Sequence, residues 1–233
     1  VPNYYQRAQE FLGPLARRAA DANTTLITGI PFRAAGSSTY YNSIAALGYG
    51  EGIYHKQRLV PFGEYVPLED QLRGLIDFFD LPMSAFSAGP QAQQPLRAAG
   101  YRIAPFICYE IVYGGLVAKS ARDADLLVTI SNDSWFGDSI GPWQHLQIAQ
   151  MRGRENGRFV LRATNNGISA IIDHQGHSVK RTEQFVATTL TGEAEVMLGN
   201  TPFSSFGNTP IIAGCFISLL LMALMYFGFW RDN

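Results

Sequence analysis

The amino-acid sequence predicts an α/β domain of roughly 200 residues followed by a single membrane-spanning helix. Three observations carry that class. Strand-like and helix-like patterns alternate along most of the chain, the order that builds a sheet flanked by helices. The run "DLLVTISND" (125–133) is almost continuously apolar, as in a strand buried on both faces. The stretch from Ile211 to Trp230 carries no charge and has the length of about 20 residues that a bilayer requires.

Each element has its own signal. Residues 3–22 place Tyr4, Phe11, Leu15 and Ala19 at helical spacing, with Arg and Asp opposite, an amphipathic helix. "TTLITGIPF" (24–32) is a β-branched run and predicts a strand. "YYNSIAALGYG" (40–50) and "GIYHKQRLV" (52–60) predict two more, turning at Gly-Glu-Gly. "LEDQLRGLIDFF" (68–79) reads as a helix between Pro67 and Pro82. Residues 83–98 read as an irregular polar loop. "YRIAPFICYE" (101–110) is the next strand and "IVYGGLVAKSARDA" (111–124) the helix after it. "PWQHLQIAQMRGREN" (142–156) is a helix with Pro142 at its first turn. "RFVLRATNNGISAIIDHQG" (158–176) reads as strand, Asn-Asn-Gly turn, strand, ending in a His-Gln-Gly-His turn. The domain therefore covers 1–198. Residues 199–209, rich in Gly, Ser, Thr and Pro, form a linker, and 210–230 form the transmembrane helix. Tyr226 and Trp230 suit a membrane interface, and Arg231 its aqueous edge.

Composition narrows the function. The formal net charge is −1 and no basic tract is present, so nucleic acid is not an expected partner. Cys108 and Cys215 are the two cysteines, too few for a disulfide framework. No Cys/His cluster has zinc spacing, so neither metal nor cofactor is expected. The chain opens on Val1 without a signal-peptide pattern and is read as processed or as a piece of something longer.

Few residues suit chemistry. Lys56, Lys119 and Lys180 are the lysines; the other basic side chains are arginines. In "HKQRLVPFGEYVPLED" (55–70) Lys56 stands one Val-Pro-Phe-Gly turn from Glu64. An amine offers a compact point charge that a guanidinium fork does not. Cys108 ends the strand "APFIC" at a strand-to-helix corner, where α/β proteins place their sites and where helix N–H groups favour an anion. The plainer reading is a small core hydrophobe, but Glu110 two residues on is no core filler. His55, His145, His174 and His177 are the available bases for a Cys–His dyad, and sequence context singles out none.

These residues occur in a recognisable order. A Lys ahead of "PFGE", a Cys in "ICYE", then "SNDSWF" and "RGRENGRFVLRATNNG" resemble the nitrilase (carbon–nitrogen hydrolase) superfamily. The fuller phrases "LVPFGEYVPLE", "ICYEIV", "ISNDSWFG", "GPWQH" and "NNGISAII", with a trailing apolar helix, resemble one branch of it, the bacterial apolipoprotein N-acyltransferases, over nearly the whole chain.

The resemblance implies a nitrilase-like α-β-β-α sandwich followed by one C-terminal transmembrane helix. It implies a Glu-Lys-Cys triad, with Cys108 as nucleophile and Lys56 as the lysine. Glu64 would be the second glutamate that contacts that lysine, and Tyr109 and Glu110 supporting residues. Trp135, Phe136 and Trp143 would border the acyl pocket. The triad's glutamate base belongs ahead of "VPNYY", as do several membrane helices, so this chain by itself is expected to be inactive. The implied partners are a phospholipid acyl donor, a diacylglyceryl apolipoprotein acceptor and the membrane. The implied location is the bacterial inner (cytoplasmic) membrane, multi-pass in the full-length protein, with the catalytic domain on the periplasmic side. A membrane-anchored nitrilase-type amidase and a non-catalytic binding module are the competing readings.

Overall fold

A computed structural model describes residues 3–33, 36, 39–65 and 86–231. The predicted helix over 68–79 lies outside them. The first helix, α1 (Gln9–Asp21), is shorter than the 3–22 pattern, because residues 4–8 form a turn bonded to Tyr4 and Pro31 carbonyls. Then come β1 (Thr25–Arg33), β2 (Tyr40–Gly48), β3 (Gly50–Glu51) and β4 (Ile53–His55). The strand expected over 52–60 ends at His55, and Lys56 follows it directly.

The next elements are β5 (Leu96–Ala98), β6 (Tyr101–Ile107), a 3-10 turn at Cys108–Val112 and α2 (Gly114–Ala121). β7 (Leu126–Asn132) leads through a 3-10 turn at Asp133–Phe136 into α3 (Gly141–Asn156). β8 (Val160–Asn165), β9 (Ala170–Ile172), β10 (Ser178–Arg181), α4 (Pro202–Phe206) and α5 (Thr209–Arg231) complete the order.

One strand went unforeseen. β5 lies inside the expected loop over 83–98 and pairs antiparallel with β6. Ala99 and Gly100 join them with φ of 50° and 89°. Two positive φ values in a two-residue loop are what a tight hairpin needs. Alanine at the first of those positions gives no sequence cue for it.

Two sheets result. One has the order β1-β2-β4, the other β10-β9-β8-β7-β6-β5-β3. The central strands β6, β7 and β8 are parallel, and β7 is buried along most of its length, as its apolar run predicts. Side-chain alternation then assigns the layers. Phe106, Leu127, Val160 and Ile172 face α2 and α3, with Val117, Leu146 and Ala149. Ile103, Ile107, Val128 and Ile171 face the smaller sheet, meeting Ile44, Ala46 and Tyr54. Leu12 of α1 closes the outer face over Ile30 and Ala45. The architecture is helix, sheet, sheet, helix, with three apolar interfaces.

The 199–209 segment connects the domain to α5 but is fastened down. Arg158 Nη2 donates to the Gly199 carbonyl at 2.7 Å. Thr201 donates to the Glu155 carbonyl, and Arg122 donates to the carbonyls of Ser204 and Ser205. Thr201 also caps α4 by accepting from Ser204 N. Gly207 and Asn208 then lead into α5. The window Thr209–Tyr226 has a mean hydropathy of 2.0 and none of it is buried against the domain. Among the described residues this is the one helix long and apolar enough to cross a membrane.

Candidate active site

The candidate site draws on the residues that follow β4 and β6, strands of the two different sheets. Lys56 is held by its backbone on both sides: its N–H donates to Asn42 O at 2.8 Å and its carbonyl accepts from Gly89 N at 2.7 Å. Its side chain is only 1% exposed, and Nζ meets Glu64 Oε2 at 2.6 Å. Glu64 is itself fixed. Val60 N donates to Oε2 at 2.8 Å, and Asn42 Nδ2 to Oε1 at 2.9 Å. The Val-Pro-Phe-Gly turn makes this possible: Glu64 N bonds back to Val60 O, and Phe62 takes φ of 61°. Among the described residues, a buried ammonium thus has one carboxylate partner, and the carboxylate has two neutral donors besides.

Cys108 follows Ile107 at the end of β6 and has φ of 51°. Left-handed geometry is uncommon for a residue with a side chain, and such outliers cluster at functional sites. Its thiol sits at the start of a 3-10 turn, half-buried.

Glu110 secures the turn from within. It is fully buried and, among the described residues, accepts four hydrogen bonds. Oε2 accepts from Ile107 N at 2.8 Å, an N3 carboxylate reaching back to the residue before the turn. Oε1 accepts from Tyr54 Oη at 2.9 Å, Gln57 N at 2.7 Å and Arg58 N at 3.1 Å. Burial pushes the Glu110 carboxyl above its usual range, against the pull of these donors. Burial, with the adjacent Glu110 charge, pushes the Tyr54 phenol up strongly. Glu110 therefore ties the residues flanking Lys56 to those flanking Cys108.

The aromatic residues lie outside this knot. Tyr109 is partly exposed and stands edge-on to Tyr113 at 5.5 Å between ring centres. Trp135 is 73% exposed. Phe136 is turned toward His145, ring centres 6.1 Å apart. Trp143 lies under the Arg181 guanidinium at 5.1 Å. A cavity of about 200 Å³ is lined by Tyr54, Gln57, Pro105, Lys119 and Asp123 among others, and by none of Lys56, Glu64 or Cys108. No cluster able to hold a metal occurs among the described residues.

Sequence reasoning overlooked Asn42, Tyr54, Asp133 and Arg162. The available signal was a lone Arg in the apolar strand "FVLRAT" and an Asp directly after "VTISN". His145, one of four histidines open to a dyad, turns Nε2 to the Cys108 carbonyl oxygen at 3.2 Å.

The fold thus presents a cysteine on a strained strand end, tied through Glu110 to the backbone next to a buried lysine–glutamate pair. The Carbon-nitrogen hydrolase family model matches residues 1–201, and the chain belongs to that family. It is similar to the apolipoprotein N-acyltransferase of Pseudomonas paraeruginosa, 52% identical over 97% of this chain and 44% of the relative. It is also similar to that of Pasteurella multocida, 44% identical over 98% of this chain and 45% of the relative. The chain thus spans less than half the length of these relatives. Among solved structures it resembles a carbon-nitrogen hydrolase from Helicobacter pylori, with TM-score 0.60, 14% identity, and coverage of 77% and 64% of the two chains. It also resembles a mutant amidase from Nesterenkonia sp. AN1 that carries the acetamide moiety of fluoroacetamide on its active-site cysteine, with TM-score 0.57, 20% identity, and coverage of 88% and 70%. These last two share the fold.

Proposed function

We propose that the chain is the catalytic part of an N-acyltransferase. It would move a fatty acyl chain from a membrane phospholipid, through a thioester on Cys108, to the N-terminal amine of a diacylglyceryl-cysteine apolipoprotein. The observation that carries this reading is the left-handed Cys108 tied by Glu110 to the buried Lys56–Glu64 pair, in a chain about half identical to proteins of that name.

The chemistry proceeds in two steps. The proton of Cys108 passes to a glutamate that the family carries ahead of the residues matched here. The thiolate adds to the ester carbonyl, and the resulting oxyanion is met by the Lys56 ammonium and the Tyr109 backbone N–H. The tetrahedral species collapses, the C–O bond breaks, and the lysophospholipid leaves with the proton. The acceptor amine then adds to the thioester. Loss of the thiolate forms the amide, and the amine proton returns to the sulfur through the same base.

Glu64 fixes the direction of Lys56 throughout. Trp135, Phe136 and Trp143 border the acyl chain. Helix α5 anchors the domain at the bilayer, where both lipid substrates reside and their local concentration is high. The proposed setting is the bacterial inner membrane, with the domain on its periplasmic side.

The test uses alkyne-tagged phospholipid supplied to membranes holding the protein expressed from its complete reading frame. Hydroxylamine-sensitive label on the wild type, absent in Cys108→Ser, is the expected result. Label that survives in Cys108→Ser refutes the thioester. Release of free fatty acid, with no label reaching an acceptor amine, would favour the amidase reading.

A further inference from the structure

Behind Cys108 lies a buried polar cluster that these steps leave unused. Ser131 comes from the end of β7, Asp133 from the turn after it, His145 from α3 and Arg162 from β8. All four are buried, beside an apolar layer that includes Leu146, Val160 and Ile168. Asp133 Oδ1 accepts from Ser131 Oγ at 2.6 Å and faces His145 Nδ1 at 3.1 Å. Asp133 Oδ2 accepts from Arg162 Nη2 at 2.6 Å. Arg162 Nε donates to Ile168 O at 3.1 Å, which fixes the guanidinium. Arg162 Nη2 also lies 3.2 Å from His145 Nδ1.

The far side of the imidazole is decisive. His145 Nε2 stands 3.2 Å from the carbonyl oxygen of Cys108. A carbonyl can only accept, so Nε2 carries the hydrogen whichever group faces Nδ1. That hydrogen bond lands on the one residue of the turn with a left-handed backbone, φ 51°. A buried ion pair is weak evidence for stability alone, since apolar groups of like volume often serve as well. A conformation that cysteine avoids persists only where its surroundings over-determine it.

We propose that His145 is a positioning residue for the nucleophile. Asp133 and Arg162 lock its ring, and its Nε2–H pins the Cys108 carbonyl, holding the strained turn that presents the thiol. Glu110 fastens the same turn through the Ile107 N–H, so the nucleophile is clamped from both sides of its peptide. The inference rests on Cys108 being the reactive thiol of the proposed transfer.

The experiment compares His145→Gln, His145→Asn and His145→Leu in a Cys215→Ser background, expressed from the complete reading frame. A glutamine amide reaches the Nε2 position; an asparagine amide reaches only that of Nδ1. Two readouts are taken: the rate of Cys108 alkylation by iodoacetamide, followed by peptide mass mapping, and kcat and KM for acyl transfer. Leucine and asparagine are expected to slow alkylation about tenfold and to lower kcat about 100-fold at unchanged KM, the scale of a displacement near 1 Å. Glutamine is expected to recover most of both. Wild-type alkylation in the leucine variant overturns the proposal. Equal losses in all three variants also overturn it, because they mark a residue needed only for packing. The expected alkylation pattern in a wild type that transfers no acyl group supports the clamp and refutes the acyltransferase reading.

Discussion

Removing the Glu110 carboxylate probes the tie between the two halves of the site. Alanine at this position leaves the Tyr54 hydroxyl and the backbone N–H groups of Gln57, Arg58 and Ile107 without their acceptor, at a position with no solvent exposure. Each net hydrogen bond contributes about 1 kcal/mol, and an orphaned buried donor costs more. Glu110→Ala should therefore lose about 4 kcal/mol or more, a large share of the roughly 5–15 kcal/mol of a typical domain.

Glutamine is the discriminating change. Its amide oxygen can still serve Tyr54, Gln57 and Arg58, but its NH₂ then faces the Ile107 N–H, donor against donor. Burial already opposes ionisation of Glu110, and glutamine escapes that cost, so the net loss should be nearer 2 kcal/mol. Acyl transfer should fall further than stability does, because the failing bond is the one that sets the turn before Cys108. The assays are urea unfolding of the detergent-solubilised protein and acyl transfer at a temperature where each variant is folded. Glutamine and alanine variants both within about 0.5 kcal/mol of wild type would match an ordinary surface change and refute the reasoning.

Two further outcomes follow from neighbouring groups. Lys56→Arg should abolish thioester labelling while the circular dichroism spectrum stays native, because a planar fork cannot replace a point charge at the 1%-exposed position 2.6 Å from Glu64; near-normal labelling would refute the requirement for an amine. For Asp133, burial raises the pKa, but the His145 hydrogen bond and the Arg162 guanidinium outweigh it and hold the carboxyl below its usual range. A depressed carboxylate stabilises fully above its unfolded value of about 3.9 and loses that contribution as pH falls through the folded one. Acid unfolding should thus steepen below about pH 4, with a shallower slope in Asp133→Asn; identical slopes would refute the assignment.

Periodicity and composition revealed the α/β class, because each strand reads out a burial rule, while the four layers came from the family resemblance. The run 125–133 is apolar on both faces since helices cover one side of β7 and a second sheet the other. Lysine in a chain rich in arginine, one turn from a glutamate, pointed to the Lys56–Glu64 pair. What stayed hidden depends on backbone angles and on contacts distant in sequence. Nothing in "ICYE" marks a left-handed cysteine, since cysteine is not among the residues, such as glycine and asparagine, that favour that geometry. Glu110 read only as a supporting residue that was no core filler, whereas one of its carboxylate oxygens reaches Tyr54 on the opposite sheet and Gln57 and Arg58 just after it. Asp133, His145 and Arg162 come from a turn, a helix and a strand up to 29 positions apart, and only the parallel register of β7 and β8 gathers them. Alanine at position 99 concealed a hairpin that asparagine would have announced.

The fastened stretch between Gly199 and Ser205 has a mechanical consequence. Three side chains, Arg122, Arg158 and Thr201, make it a bracket and not a leash. A domain mounted this way cannot swing freely on its anchor. Any change of pitch between the domain and α5 is then confined to the short joint at Gly207 and Asn208.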